Sequence, residues 1–169
     1  MAEMNQAANT PQPRLSLQQF LPYRLVNVAQ SISINFAEVY QTEFELTIPE
    51  WRILVNLAEH TNSEHVASDK SNTGSTGISA KELTQLASMD KSTVSRAVKL
   101  MLDKGYLTKH IDELDKRASL LTLTQTGKQL YHTIAPKALE WEAKLLEVLT
   151  TEEYQILMQI LDKLDSKLA

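Results

Sequence analysis

The sequence predicts a mainly α-helical chain with one small β-hairpin. Apolar residues recur at helical spacing through most of the 169 residues, and glycine and proline are scarce, at 4 and 5. Alternation typical of strands is confined to the stretch from Tyr106 to Leu123. The length suffices for one well-buried domain with an oligomerisation region built into it, but not for two independent enzyme domains.

The composition excludes several classes of function. The chain has no cysteine, which removes disulfides, thiolate metal sites and thiol redox sensing. No run of about 18 apolar residues occurs, so we expect no membrane span. The first residues also lack the layout of a secretion signal, and we expect a cytoplasmic protein.

The charge of the chain is unevenly distributed. The net charge is −4, but residues 78–124 contain eight Lys/Arg against six Asp/Glu, which gives this segment +2 and leaves −6 for the remainder. The net charge therefore argues against a uniformly basic, nonspecific nucleic-acid binder. The positive charge is local.

The N-terminal part begins with a polar stretch and continues as an amphipathic helix. Residues 1–14 contain two prolines and several Asn and Gln residues, which predicts a flexible arm. From Pro22, which suits a first helical turn, apolar residues recur at helical spacing to about Glu43. We therefore expect one long helix from about Pro22 to Glu43, within an N-terminal dimerisation segment at residues 15–46.

Two T/S-x-x-E patterns mark further helix starts. Thr47 and Glu50 form the first capping box, and the helix after it should run to about His60. Residues 61–77 are rich in Ser, Asn, Thr and Gly without an apolar period, which predicts a flexible loop. Ser79 and Glu82 form the second capping box and open a short helix.

A further helix follows after a break at Ser88 and Met89. Asp90 suits its N-cap, and Gly105 suits the position just after its end. Its apolar positions recur at i, i+3, i+4 and i+7, which predicts one buried face. These positions are Val94, Ala97, Val98 and Met101.

The remaining chain predicts a hairpin and two long helices. Residues 106–111 and 119–123 suit short strands joined by a polar tip, and Thr124 suits the cap of the next helix. A last helix starts after Thr150 and has an apolar stripe along nearly its whole length. On so short a chain this stripe has little to pack against, which favours a homodimer over a monomeric core helix.

Two short helices and a hairpin in this order are typical of a winged helix-turn-helix, whose second helix enters the DNA major groove. The outward positions of that helix combine small hydroxyls, which allow close approach to DNA, with cations that bond guanine or phosphate. We predict DNA contacts for Lys91, Ser92, Thr93, Ser95, Arg96 and Lys99. A solvated helix face is the alternative.

The hairpin tip supports the DNA hypothesis. Lys116 and Arg117 lie where a cation can reach the adjacent minor groove, and Asp115 could brace Arg117. A metal site of His110, Asp112 and Asp115 is the alternative, but this set lacks a further histidine or cysteine. We therefore predict no metal and no cofactor.

The sequence resembles the MarR family of winged helix-turn-helix transcription regulators over roughly residues 15–168. The resemblance rests on SAKELTQLASMDKSTVSRAVKLMLDKGYLTKHIDELDKRASLLTLTQTGKQLY and on FLPYRL, LTIPEWRILVNL and LLEVLTTEEYQILMQILDKL. It implies a homodimer on a pseudo-palindromic operator, with Arg117 in the minor groove. The tip reads Asp115-Lys116-Arg117 instead of the usual Asp-Arg-Arg, which keeps the charge, and the 61–77 segment is longer than usual.

The expected organisation combines these elements. It consists of an arm at 1–14, an N-terminal dimerisation helix at 15–46, a winged helix-turn-helix DNA-binding domain at 47–124 including the flexible loop 61–77, and C-terminal dimerisation helices at 125–169.

The resemblance also implies a pocket for a small aromatic acid whose binding lowers DNA affinity. Arg24, Ser31 and Asn35 fall near one stripe and could bind a carboxylate or phenol. Trp51 and Arg52 could add an aromatic wall and a second cation. A solvated stripe and a purely structural Trp51 are the alternatives. FLPYRL and TIPEWRIL resemble regulators of hydroxycinnamate catabolism in particular, so the expected protein is a repressor released by such a ligand.

Two other classes of function are disfavoured. An enzyme would need a nucleophile, phosphate loop or metal set, whereas the four histidines are scattered along the chain. A winged-helix protein-interaction module without DNA binding would present an apolar or acidic outer face on the helix at residues 90–104. That face is instead basic and hydroxylated, which favours DNA.

Overall fold

Six helices and three short strands make up residues 14–66, 77–111 and 119–168, which the computed structural model describes. In chain order they are α1 (Leu21–Phe44), α2 (Ile48–Val66), β1 (Ile78–Ser79), α3 (Ala80–Leu86), α4 (Lys91–Asp103), β2 (Leu107–Ile111), β3 (Ser119–Leu123), α5 (Gln125–Leu146) and α6 (Thr151–Leu168). The predicted fold class, mainly α with a small β-hairpin, is confirmed. The long first helix lies within one residue of its expected bounds.

The chain divides into two units, Met1–Asn35 and Phe36–Ala169. In the first unit a turn precedes α1, where the backbone N–H of Phe20 donates to Ser16 O at 2.9 Å. The apolar side chains that follow are largely exposed within this unit. They include Leu21, Leu25, Val26, Val28, Ile32 and Ile34.

The helices of the second unit begin at side-chain caps. The box before α2 is complete, because Glu50 accepts from the Thr47 backbone at 2.8 Å and donates its own N–H to Thr47 Oγ1 at 3.4 Å. The same reciprocal pattern opens α3 and α6. Asp90 caps α4 and Thr124 caps α5. The predicted helix starts are therefore confirmed.

The end of α2 differs from the prediction. The helix continues six residues past His60, to Val66, so a loop beginning at residue 61 was wrong for this stretch. Extending an existing helix adds one hydrogen bond per residue, which outweighs the weak propensities of Thr, Asn and Ser. Residues 67–76, which complete the predicted loop, lie outside the described residues.

The three strands form an antiparallel sheet in the order β1-β3-β2. β2 and β3 pair from Leu107 opposite Leu123 to Ile111 opposite Ser119, as a hairpin requires. The short β1 adds the third strand, with Ile78 opposite Leu121. The sheet thereby joins the beginning of α3 to the hairpin that follows α4.

Two glycines allow the chain to pass from α4 through the hairpin into α5. Gly105 has φ 73°, and the N–H of Tyr106 donates to Met101 O at 2.9 Å, which is the Schellman end of a helix. Gly127, in the first turn of α5, lies against the strand entry so closely that an added Cβ would be 2.2 Å from Tyr106 O. The helix and the hairpin meet here without intervening side-chain atoms.

The core of the second unit lies where α2, α3 and α4 pack on the sheet. All four predicted apolar positions of α4 are buried, from Val94 to Met101. Leu83 of α3 and Ile134 of α5 are also fully buried, whereas Leu86 of α3 is 56% exposed. The core thus buries one face of α4 and leaves the opposite face at the surface.

The C-terminal helices contribute unequally to this core. α5 passes continuously through Pro136 and buries Gly127 and Ile134. Within the described part of the chain, no residue of α6 is buried. Among the described helices, none is long and apolar enough to span a bilayer.

Candidate nucleic-acid interface

The turn between α3 and α4 determines how α4 is presented. Ala87 ends α3, and Ser88 then adopts a left-handed φ of 50°. The N–H of Met89 donates to Thr84 O at 3.1 Å, which closes the turn. Since a non-glycine residue rarely adopts this conformation, the turn is held by its surroundings and fixes the start of α4.

The outward face of α4 holds the six residues that the sequence predicted as DNA contacts. Lys91, Ser92, Ser95, Arg96 and Lys99 are exposed, and Thr93 is half-buried. They occupy the side opposite the buried stripe of Val94, Ala97, Val98 and Met101. The structure thus brings these residues together on one surface, which we call the α4 outer face.

A hydrogen-bond network orders the N-terminal half of this face. The Asp90 carboxylate accepts from the hydroxyls of Ser92 and Thr93 at 2.5 Å each, and from their backbone N–H groups at 2.9 and 3.0 Å. The hydrogen bonds, foremost that from Ser92, hold the pKa of Asp90 well below its usual range. Asp90 is therefore ionised at neutral pH, and both hydroxyl protons are committed to it.

Arg96 is part of the same network. Its Nε donates to Ser92 O and its Nη2 donates to Ser92 Oγ, both at 3.3 Å. The guanidinium is consequently held along the helix, toward its N-terminus. Donor groups that these two bonds leave over remain available to a ligand on the outer face.

A cleft beside α4 adds cations that the sequence reasoning missed. Its volume is about 540 Å³, and its lining includes Lys99 of α4, Lys81 of α3 and Lys109 of β2. Lys81 and Lys109 are exposed. Their sequence signal is weak, because a lysine on a short helix or edge strand is ordinarily a solvated group. Both line the same cleft as Lys99, which belongs to the α4 outer face.

The C-terminal end of α4 is fixed by an ion pair between the partly exposed Lys104 and the buried Glu50. Lys104 Nζ lies 2.8 Å from Glu50 Oε1 and donates to Glu45 O at 2.9 Å. Burial of Glu50 raises the pKa of its carboxyl, but the hydrogen bonds from Lys104 and Thr47 outweigh this effect, and the pKa is lowered. The sequence predicted Glu50 as a capping residue. Its pairing across 54 positions has no local signal.

The predicted wing contacts remain predictions. β2 ends at Ile111 and β3 begins at Ser119, and the tip between them lies outside the described residues. Lys116 and Arg117 belong to this tip, as do Asp112 and Asp115 of the alternative metal set. Among the described residues, no group of three His, Asp or Glu side chains is placed to hold a metal ion.

The predicted ligand residues fall in different units. In the first, Arg24, Ser31 and Asn35 are exposed on α1, and Asn35 Nδ2 donates to Ser31 O at 2.8 Å. Trp51 and Arg52 belong to the second unit, on the first turns of α2. That these five residues line one ligand pocket remains a prediction.

Trp51 and Arg52 have well-defined surroundings. Trp51 stacks on Tyr40 with ring centroids 5.1 Å apart, and Phe36 meets it edge-on at 5.5 Å. Burial raises the pKa of Tyr40 to about 12, against the opposing charge of Arg52. Arg52 Nη1 donates to Ala87 O at 3.3 Å, so its guanidinium is fastened to the end of α3.

Residues 44–118 match the model of the MarR family. Over this stretch the chain is similar to MarR-family proteins. The matched stretch contains the helix-turn-helix and β2, and it agrees with the resemblance stated from the sequence.

Several HTH-type transcriptional regulators are similar to about half of this chain. The HTH-type transcriptional regulator BilQ of Clostridium symbiosum is 33% identical over 88 residues, which is 52% of this chain and 61% of BilQ. The curated relatives that the chain matches are covered over only 53–61% of their length. Their names describe them as transcription regulators.

Solved structures extend the likeness beyond the central region. A MarR/EmrR family transcriptional regulator from Acinetobacter sp. ADP1 superposes with a TM-score of 0.74 at 25% identity, covering 91% of this chain and 98% of that one. MepR of S. aureus, solved in complex with DNA, gives a TM-score of 0.70 at 19% identity over 91% and 100% of the two chains. The second likeness concerns the fold alone.

Proposed function

We propose that this protein is a homodimeric transcription regulator that reads duplex DNA with the α4 outer face in the major groove. The observation that supports this most strongly is the α4 outer face itself. It joins three cations and three hydroxyl residues on the exposed side of a helix whose other side is fixed in the core. An α-helix fits the major groove, and such side chains bond base edges and phosphates.

The Asp90 network gives the outer face a defined chemistry. Because Ser92 and Thr93 donate their hydroxyl protons to Asp90, their oxygens act as acceptors toward a base. Acceptors suit the exocyclic amino groups of cytosine and adenine, whereas Arg96 suits the O6 and N7 atoms of guanine. The outer face thus favours a site in which a guanine lies next to a base that presents an amino group.

The positive charge near α4 supports binding despite a net charge of −4. Lys81, Lys99 and Lys109 surround one cleft next to the outer face. Local cations contact phosphates and release counterions, while the acidic remainder of the chain limits nonspecific attachment. A protein-interaction module without DNA binding would need an apolar or acidic outer face, which the described residues of α4 do not form.

The dimer is proposed from the C-terminal helices. In α6 the side chains of Ile156, Leu157, Met158 and Ile160 are 39–55% exposed. In a soluble chain, apolar groups of this extent along one helix need a cover, and a second copy provides one with two-fold symmetry. A two-fold dimer presents two α4 helices to half-sites about one DNA turn, ~34 Å, apart. The dimer-forming roles of residues 15–46 and 125–169 are part of this proposal.

The regulatory part of the proposal is repression released by a small aromatic acid, of the hydroxycinnamate type. Its support is the half-buried Trp51 ring beside the Arg52 cation, which suits an aromatic carboxylate. A hundredfold loss of DNA affinity requires the ligand to favour the non-binding arrangement by ~2.7 kcal/mol. Adding 4-hydroxycinnamate to the DNA complex should lower its stability, and an unchanged Kd contradicts this ligand class.

The test of DNA reading is fluorescence anisotropy with a duplex enriched from a random library, compared with a shuffled duplex. Arg96→Ala should raise the Kd for the enriched duplex by about tenfold to a hundredfold, because one base-edge contact is lost. The shuffled duplex should change much less. Lys167→Ala, which removes the same charge from the last turn of α6, is the matched control.

Two outcomes would contradict the proposed function. Failure of the wild-type protein to enrich any duplex would exclude sequence-specific DNA reading. Equal effects of Arg96→Ala and Lys167→Ala would show that charge alone matters and that α4 does not contact bases.

A further inference from the structure

We infer that Lys104 and Glu50 act as positioning residues for DNA reading, holding α4 at the angle that its outer face requires without touching DNA themselves. This inference rests on the proposed function and deepens it. The pair joins the end of α4 to the first turn of α2. We call Lys104, Glu50, Glu45 and Thr47 the α4 clamp.

Hydrogen bonds connect the four residues of the clamp to one another. One Glu50 oxygen accepts from Lys104 Nζ at 2.8 Å, and the other accepts from Thr47 N and Thr47 Oγ1 at 2.8 and 2.7 Å. Lys104 Nζ also donates to Glu45 O at 2.9 Å. The Glu50 side chain is 0% exposed and that of Lys104 is 32% exposed. Lys104 is thus turned inward, toward the α1–α2 turn.

Stability alone is a weak reason for this arrangement. Removing a carboxylate from water is costly, and well-packed apolar residues of similar volume often serve a core equally well. What an apolar pair lacks is direction, because hydrophobic contacts tolerate small rotations and shifts. Two short hydrogen bonds from one ammonium group, to Glu50 and to Glu45 O, restrict both the rotation and the shift of the end of α4.

The position of the clamp makes small movements matter. α4 has 13 residues, which corresponds to a length of ~20 Å. A tilt of about 10° at the clamped end would displace the opposite end by ~3 Å, since the helix moves as a rigid rod. That displacement exceeds the tolerance of base-edge hydrogen bonds, whose useful range is about 0.5 Å wide. Phosphate contacts by long lysine side chains would tolerate it.

The clamp therefore affects specific binding more than nonspecific binding. The variant Glu50→Gln/Lys104→Met removes both charges together and leaves neither buried without its partner. Its Kd for the enriched duplex should rise about tenfold, which is comparable to the effect of one mismatched base pair in the binding site. Its Kd for the shuffled duplex should stay within about twofold of the wild-type value. The single variant Lys104→Arg, which retains the charge and the hydrogen-bond donors, should bind the enriched duplex with most of the wild-type affinity.

The salt dependence separates this role from a phosphate contact. The slope of log Kd against log salt should be unchanged in the double variant, because no phosphate contact is lost. Lys99→Met is the comparison, since Lys99 lies exposed on the same helix, and it should weaken both duplexes and reduce the slope by about 1. All measurements use the 169-residue chain, with the folded fraction from circular dichroism and the active fraction from stoichiometric titration.

The outcomes are distinct. A double variant that matches the wild type on both duplexes, or loses affinity only in proportion to its unfolded fraction, overturns the clamp while leaving the proposed function intact. A reduced salt slope would make Lys104 a phosphate contact and also overturns it. If the wild type enriches no duplex, the proposed function fails, and the clamp has no DNA role to serve.

Discussion

α4 and α6 are both amphipathic helices, and the second unit buries the apolar side of only one of them. α4 has four buried residues along its stripe, whereas α6, although five residues longer, has none within the described chain. The two patterns are equivalent in sequence. An apolar stripe in the sequence therefore predicts that one side of a helix packs against apolar partners. It does not predict whether those partners belong to the same chain.

The sharpest way to break the comparison is to place a charge on the α6 stripe. Leu157→Glu should convert the protein to a monomer, because an unpaired carboxylate would be buried at the interface. With one half-site per molecule, affinity for a two-half-site duplex should fall by about a hundredfold or more. Analytical ultracentrifugation and anisotropy measure the two effects. Gln159→Glu, on the other side of α6, is the charge-matched control.

A Leu157→Glu variant that remains dimeric would locate the subunit contact elsewhere. A variant that becomes monomeric but keeps full DNA affinity would separate dimer formation from DNA reading.

One methionine in each helix allows the same substitution to be compared in α4 and in α6. Met101 of α4 is 0% exposed and Met158 of α6 is 41% exposed. Met101→Ala should lower the free energy of unfolding by about 2–5 kcal/mol, since it leaves a cavity in the core. Met158→Ala should act mainly through the dimer, so its effect on urea unfolding should depend on protein concentration. Equal, concentration-independent losses from both would show that α6 is covered within its own chain.

The clamp provides the smallest of these effects, and it depends on pH. The pKa of Glu50 is lowered in the folded protein, so its contribution to stability is present above the unfolded pKa and is lost as pH falls through the folded pKa. The stability difference between wild type and Glu50→Gln should therefore be largest near neutral pH and shrink as the pH falls through the folded pKa of Glu50. Urea unfolding at a series of pH values measures it. A difference that grows on acidification would contradict the assigned ionised state.

Local chemistry explains why much of the fold could be predicted. The capping pairs Thr47/Glu50 and Ser79/Glu82 lie three residues apart, so both partners are visible in any short window. The buried stripe of α4 follows from helical periodicity in the same way. These features involve only residues of one turn or one helix.

Features that join distant segments could not be predicted in this way. The partner of Glu50 is 54 positions away, and Lys81 of α3, Lys99 of α4 and Lys109 of β2 meet at one cleft although they lie on three different elements. The expected end of α2 failed for a different reason, because composition alone does not measure the gain from extending a helix. The outer face of α4 could be predicted because one helix contains all of it.

The contact between Gly127 and Tyr106 O has a consequence for how the protein tolerates sequence change. The beginning of α5 touches the backbone of the chain that enters the hairpin, leaving no space for a methyl group. Only glycine fits at position 127 unless the backbone at Tyr106 shifts. The neighbouring Gln125 and Thr126, by contrast, are exposed. We therefore expect glycine to be retained at this position in related chains for a steric reason alone.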